Sequence, residues 1–532
     1  MSHRATLDFL LHDWLKADSL CQRAFHADHN RETFDAVLDL SEQIATEQFA
    51  PINRLTDIEE PEFDGVKVHL PAQTPLALAA FSDAGLMAAS KPAEVGGMQL
   101  PTVVEMASMS FFYKASVSLA AYPMLTRGNA NTIFAHGTPR QVEVFAKPGF
   151  AGRNFGTMCL SEPQAGSSLS DISTRALPDL AAGDWQDDPL GPRYRLTGNK
   201  MWISGGEHEM GDNIIHLVLA KIPGPDGKPV PGVRGISLFI VPRILVTADG
   251  QPTGQRNDVA LAGLNHKCGY RGTVNTLLNF GEGKFPVDGR AGAVGYLIGG
   301  IGQGLKCMFT LMNEARIAVG LGATMLGYAG FEASLEYARQ RPQGRHAGAG
   351  GKDHNSPQVP IIEHTDVKRM LMAQKAIAEG GLALGLFCAR LVDEESTGTA
   401  EEARAAGLLL ELLTPIAKSW PSEWAQEANS LAIQVLGGYG YTRDFPVEQY
   451  WRDNRLNMIH EGTHGIQALD LLGRKVVMND GAALQALAAR MGETITRALK
   501  VERLKLHGTL LAQALQRIGQ ATQAAWSSGR PE

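Results

Sequence analysis

Glu461 is the one acid in the stretch RLNMIHEGTHGIQ, with Met458 and Ile459 before it and the helix-breaking Gly462 directly after it. A solvated helix face would group its acids opposite an apolar stripe. This residue therefore either caps the end of a helix or does chemistry, and a lone carboxylate offers acid–base chemistry. Other candidates are weaker. In GRHAGAGGKDH a phosphate-binding loop would need a glycine where His346 stands and Ser or Thr where Asp353 follows Lys352, so a mobile loop is the expectation. GGIGQG offers Gly300, Gly302 and Gly304 but follows no strand of a βαβ unit, and reads as a hinge rather than a dinucleotide fingerprint. The five cysteines, Cys21, Cys159, Cys268, Cys307 and Cys388, are scattered, which argues against a disulfide framework or a zinc site. No metal constellation is expected.

Several elements must position these groups, because 532 residues exceed what one hydrophobic core accommodates. With 44% hydrophobic and 20% charged residues the composition is that of a globular protein, and no apolar run approaches a membrane span. A net charge of -7 leaves no electrostatic footprint for nucleic acid. The N-terminus has no signal-peptide pattern and the cysteine usage fits a reducing cytoplasm.

Residues 1–155 carry helix-like spacing broken by turn signals at APINRL, PEFDGV and EVGGMQLP, implying an N-terminal helical domain. Residues 156–285 turn to short β-rich runs such as RYRLTG, NIIHLVLAKI and GISLFIVPR, implying a central β domain. After VGYLIGGIGQGL the pattern is helical again: 286–475 reads as a four-helix-bundle domain, with a helix capped at Thr365 or Asp366 that turns Val367, Met370, Leu371, Gln374, Ile377, Ala378 and Gly381 to one face. Residues 476–532 add an amphipathic helical pair and a tail expected to fray. The order α, then β, then α excludes a doubly wound sheet.

Six separated stretches together resemble the acyl-CoA dehydrogenase family over roughly residues 75–475. They are MCLSEPQAGSSLSDI, LTGNKMWISGG, MNEARIAVGLGATMLGYAGFEASLEYARQR, IQVLGGYGYTRDFPVEQYWRDNRLNMIHEGT and, more weakly, SKPAEVGGMQLP and LNHKCGYRGT. The resemblance extends to that family's longer bacterial branch, which includes 3-methylmercaptopropionyl-CoA dehydrogenases. It implies the α/β/α fold (helical domain, β-barrel-like domain, four-helix bundle) and an FAD-dependent oxidoreductase that makes trans-2-enoyl-CoA. It also implies a homodimer or homotetramer and an electron-transfer flavoprotein as acceptor. An oxygen-using acyl-CoA oxidase and a flavin-fold nucleic-acid binder are the alternatives.

Carried over residue by residue, the resemblance implies Glu461 as the base, with its amide and a flavin ribityl hydroxyl on the thioester oxygen. Met458 and Ile459 are candidates to desolvate it, and Gly462 leaves room for the thioester. Ser161 would reach the isoalloxazine edge, Gly166 and Ser167 the pyrophosphate, Trp202 one flavin face, and Ser204 the edge that receives the hydride. From a partner subunit, Arg341 and Gln343 would hold the pyrophosphate and Gln434, Gly437 and Gly438 the adenosine side, with Thr463 a further cofactor contact. Arg316 reads either as a buried residue near the acyl-CoA site or as a surface ion pair, and Asn313 as a contact to the CoA arm. His460 stands where relatives often carry Tyr and is expected to be a packed wall residue without a proton-transfer role.

Overall fold

The computed structural model describes residues 2–348 and 351–529. Residues 349 and 350 of the expected loop and residues 530–532 of the expected fraying tail lie outside the described residues.

Three long helices organise the N-terminal region: α1 (Arg31–Ile44), α2 (Thr102–Ala115) and α3 (Val117–His136). α1 begins at a capping box in which Asn30 and Thr33 exchange side-chain bonds to each other's backbone amides. APINRL, expected to be a turn, lies inside the helix Ala50–Ile58 instead. Its proline occupies the first turn, where the missing N–H costs nothing and the fixed φ suits the helix. PEFDGV does make a turn, between the short strands Glu62–Phe63 and Val68–His69.

Eight strands form the main sheet: β1 (Asn154–Cys159), β2 (Arg175–Pro178), β3 (Arg193–Ser204), β4 (Asn213–Lys221), β5 (Ile236–Pro242), β6 (Val259–Leu264), β7 (Asn275–Phe280) and β8 (Ala293–Ile298). Their order is β6-β7-β3-β8-β5-β4-β1, and β2 pairs with both β3 and β4. That double pairing, completed by the single register contact Arg175↔Lys221, closes β3-β8-β5-β4-β2 into a ring. β8 lies beyond residue 285, past the expected limit of the β region. A short apolar run next to glycines cannot be told from the start of a buried helix by periodicity alone.

The C-terminal bundle contains α4 (Gly304–Gln340), α5 (Thr365–Thr397) and α6 (Ala400–Leu436), followed by α7 (Val447–Asn454), α8 (His464–Asp470) and the final pair α9 (Ala482–Leu499) and α10 (Lys505–Trp526). α5 starts at Thr365 with His364 at the cap position and no side-chain capping bond, so neither Thr365 nor Asp366 caps it. Of its expected inner face, Met370, Leu371, Gln374, Ala378 and Gly381 are buried. The expected mobile loop after Arg345 holds a two-residue hairpin, Ala347–Gly348 against Gly351–Lys352. The segment GGIGQG joins β8 to α4, with Gly299 and Gly302 at positive φ.

Polar contacts tie the N-terminal and C-terminal helices together. The Asp393 carboxylate of α5 accepts from Thr102 N at 2.6 Å and Val103 N at 2.9 Å, capping α2 from another element. Arg452 of α7 pairs with Asp57 at 2.6 Å, and Arg54 with Glu448 at 3.0 Å. All five cysteines are unpaired. Among the described residues no helix is long and apolar enough to cross a membrane.

Leu386 of α5 is fully buried in the core shared by the helical regions. Leu386→Ala should lower unfolding free energy by about 2–5 kcal/mol; a loss below ~1 kcal/mol in urea denaturation would contradict this packing.

Candidate active site

Glu461 lies in a turn between α7 and α8, not in a helix, and its backbone is left-handed at φ 51, with Gly462 following at φ 93. Two consecutive positive-φ residues, one of them not glycine, are costly and need support from around them. Support comes from both sides. Gln467 Nε2 donates to Glu461 O at 2.8 Å, and Lys418 Nζ of α6 donates to Gly462 O at 2.6 Å. The positive φ favours glycine at 462, and a Cβ there would sit 2.6 Å from Gln467 Nε2 and displace the side chain that holds the Glu461 carbonyl.

Burial raises the Glu461 carboxyl above the usual glutamate range, while Lys418 and Arg316 oppose that rise. The raised value suits a base that works near neutral pH. Ile459 does not supply the burial, since it is 51% exposed, and Met458 is only half-buried. The charges facing Glu461 come instead from α4 and α6, distant in sequence.

His460 is held neutral: burial, then Lys418, lowers its pKa to about 3. With one proton on the ring, its Nε2 donates to Asn457 Oδ1 at 2.9 Å, an oxygen that also accepts from Tyr270 OH at 3.1 Å. Tyr270 lies in the loop between β6 and β7 and its own N–H donates to Asp453 Oδ1 of α7 at 2.6 Å. Asn457 in turn donates to Asn454, and Asn454 to Asn429 of α6. The loop LNHKCGYRGT thus docks the β domain onto the turn that carries Glu461.

At the base of that loop, Asn275 Nδ2 donates to Ser204 Oγ at 3.1 Å. The pairing of β7 with β3 slips between Thr276↔Ile203 and Leu278↔Lys200, leaving Met201 and Trp202 opposite one residue. This bulge puts Trp202 at φ 66 and turns its ring outward, 59% exposed. Met201 N donates to Ser161 O at 3.0 Å, which brings Ser161, Trp202 and Ser204 to one place.

The following turn is braced by Glu162, a residue that sequence reasoning passed over. Its carboxylate accepts from the amides and hydroxyls of Ser173 and Thr174 and pairs with the fully buried Lys200 at 3.0 Å. Burial would raise its pKa, but Lys200 and these donors outweigh burial and hold it at about 2. Gly166 and Ser167 are exposed on that turn, and a Cβ on Gly166 would meet nothing.

The remaining expected cofactor residues collect elsewhere. The Arg341 guanidinium, just past the end of α4, lies 5.6 Å over the Tyr439 ring beside the exposed Gly437 and Gly438 at the end of α6. Gln434 is exposed one turn earlier. Gln343 is exposed, its backbone paired with Val359 and His364. Lys418, which touches the Glu461 turn, precedes Gln434 by sixteen residues on α6, or about 24 Å of helix. One chain therefore holds two separate groups, with Thr463, at the cap of α8, belonging to the first.

For Arg316 the structure agrees with the buried reading and not with the surface ion pair. Arg316 is buried, not on a helix surface, and is bound to Asp470 of α8 at 2.6 Å; Asn313 donates to Glu411 at 3.0 Å. Both are therefore engaged by protein acids. Asp8, His12 and Asp35 bring ligand atoms within 4.8 Å of one another, but Arg4 already pairs with Asp8 at 2.9 Å and Asp35 at 3.2 Å. A resident guanidinium neutralises that cluster.

The family model described as acyl-CoA dehydrogenase, N-terminal domain, matches residues 32–153, and the acyl-CoA dehydrogenase, C-terminal domain, matches residues 302–476. The chain is 37% identical to a 3-methylmercaptopropionyl-CoA dehydrogenase of Ruegeria pomeroyi, over 93% of this chain and 78% of the relative. It is 33% identical to a broad-specificity linear acyl-CoA dehydrogenase of Mycobacterium tuberculosis, over 92% of this chain and 76% of that one. Its fold matches ACDH-11 of Caenorhabditis elegans, solved in complex with C11-CoA, with a TM-score of 0.72 at 20% identity, over 99% of this chain and 81% of that one.

Gly462→Ala should destabilise the protein by about 1–3 kcal/mol through backbone strain. Chemical denaturation checks this, and an unchanged midpoint would contradict the left-handed turn.

Proposed function

We propose, given that this chain belongs to the acyl-CoA dehydrogenase family of FAD flavoproteins, that it converts an acyl-CoA thioester to trans-2-enoyl-CoA with Glu461 as the base. The observation that carries this reading is a half-buried carboxylate whose pKa desolvation raises, docked through the Tyr270 loop against the strand that presents Trp202 and Ser204.

The donor set fits FAD. An outward-facing indole at a bulge offers a flat surface, with Ser161 bonded to the backbone of Met201 next to it and Ser204 two residues on in the same strand. Exposed Gly166 and Ser167 leave backbone open to a phosphate, and Thr463 stands at the cap of α8 next to the base. When bound, FAD supplies the acceptor for the two electrons that leave carbon β of the acyl chain.

Glu461 removes the proton from carbon α, and its raised pKa keeps it a strong enough base for that weak acid. The Glu461 amide hydrogen-bonds the thioester oxygen and stabilises the negative charge that develops there. His460, neutral and tied to Asn457, forms wall rather than proton path.

Gln434, Gly437 and Gly438 lie about 24 Å or more along α6 from Lys418, which touches the Glu461 turn, and Arg341 stacks on Tyr439 beside them, with Gln343 two residues on. We assign them to the pyrophosphate and adenosine of the cofactor in a partner subunit, in a homodimer or homotetramer. An arginine suits the diphosphate because its fork bonds bidentately. The substrate is 3-methylmercaptopropionyl-CoA or a fatty acyl-CoA, the first being what the Ruegeria relative is named for. An electron-transfer flavoprotein takes the electrons, and five unpaired cysteines suit a reducing cytoplasm.

Anaerobic titration of the yellow protein with straight, branched and methylthio acyl-CoAs should bleach the flavin with at least one of them. Glu461→Gln should retain FAD and bleach at least ~10²-fold more slowly. Absence of bound flavin, or no bleaching by any thioester, would sink the proposal. Because the Glu461 pKa is raised and the base must be ionised, wild-type bleaching should slow as pH falls through a value above the ordinary carboxylate range. An acidic limb at the value of free glutamate would contradict the burial.

A further inference from the structure

Lys418 is a lysine with no exposed surface in the middle of α6. The close approach of α4 and α6 puts it there: a Cβ on Gly320 would fall 1.8 Å from Ala417 O, so only glycine lets the two helices meet at this level. Its ammonium donates to Gly462 O at 2.6 Å. Among the described residues no carboxylate forms an ion pair with it, although a buried ammonium without a counter-charge is costly.

The neighbouring basic groups are each engaged by an acid, Asp470 by both Arg316 and Arg474. Arg316 of α4 is bound to Asp470 of α8, Lys475 pairs with Glu411 of α6, and His464 lies 3.0 Å from Glu423. His460 is neutral and spends its proton on Asn457. What remains to balance Lys418 is Glu461, whose charge acts on it.

We propose that Lys418 is a positioning residue for the base: its buried ammonium clamps the left-handed Glu461–Gly462 turn through the Gly462 carbonyl and is the uncommitted positive charge that keeps Glu461 ionised. The proposal deepens the reading of Glu461 as base and rests on it. The two halves of the clamp differ in kind. Gln467 holds the Glu461 carbonyl as a neutral donor, whereas Lys418 holds the next carbonyl and brings charge. Burial lowers the Lys418 pKa to about 8, with Glu461 raising it and Arg316 lowering it.

The test titrates the Glu461 carboxyl directly, by infrared difference spectra of FAD-loaded protein against its Glu461→Gln counterpart, so it does not depend on any thioester being turned over. In Lys418→Met the carboxyl midpoint should move up by about one pH unit or more. Lys418→Gln, which keeps a donor for Gly462 O, should shift it in the same direction and serves if the methionine variant does not fold. Gln467→Leu, which loosens the turn but leaves the charge, should leave the midpoint where it is. With a bleaching substrate in hand, the acidic limb of the rate should move with the carboxyl midpoint. A midpoint unmoved by loss of Lys418, or moved as far by Gln467→Leu, would overturn the proposal.

Discussion

The turn at Glu461–Gly462 is the constraint on which the rest of the site depends. Here the backbone leaves α7, takes two left-handed residues and enters α8, and that geometry is held from outside by Gln467 and Lys418. A strained turn of this kind persists only where surrounding contacts over-determine it.

Those contacts explain the architecture around it. α4 and α6 must approach closely enough for their side chains to face the turn, which accounts for Gly320 at their crossing. The β domain must be fixed relative to the same turn, and the Tyr270 loop does this by bonding to Asn457 and Asp453, residues of the segment that leads into Glu461. The bulge at Trp202 belongs to the same design, since a regular strand would have kept that ring in the plane of the sheet's packing rather than turned outward. Glu162 and Lys200 brace the adjoining turn in the manner of a buried ion pair whose remaining lone pairs are filled.

Much of this was legible in the sequence because it is local. The α, β, α order follows from changes of hydrophobic period, and the Glu461 motif is contiguous with its glycine. What was not legible depends on distant partners. Nothing near Lys418 in AKSW signals that it will meet Gly462, and nothing near Arg316 signals Asp470. Ile459 looked like a desolvating neighbour because it is adjacent in sequence, but the turn directs it outward and leaves burial to helices elsewhere in the chain. The strand Ala293–Ile298 and the helix containing APINRL were misjudged for a related reason: a short apolar run and a proline each have two structural uses, and tertiary packing decides between them.

The central claim is that Glu461 takes a proton from carbon α of a thioester. The most direct measurement is the primary isotope effect on anaerobic flavin reduction when carbon α of the acyl-CoA carries deuterium. The account predicts a several-fold slowing in the wild-type protein and reduction at least ~10²-fold slower in Glu461→Gln. Reduction that is indifferent to deuterium at carbon α, and that proceeds at the wild-type rate without the Glu461 carboxylate, would contradict it.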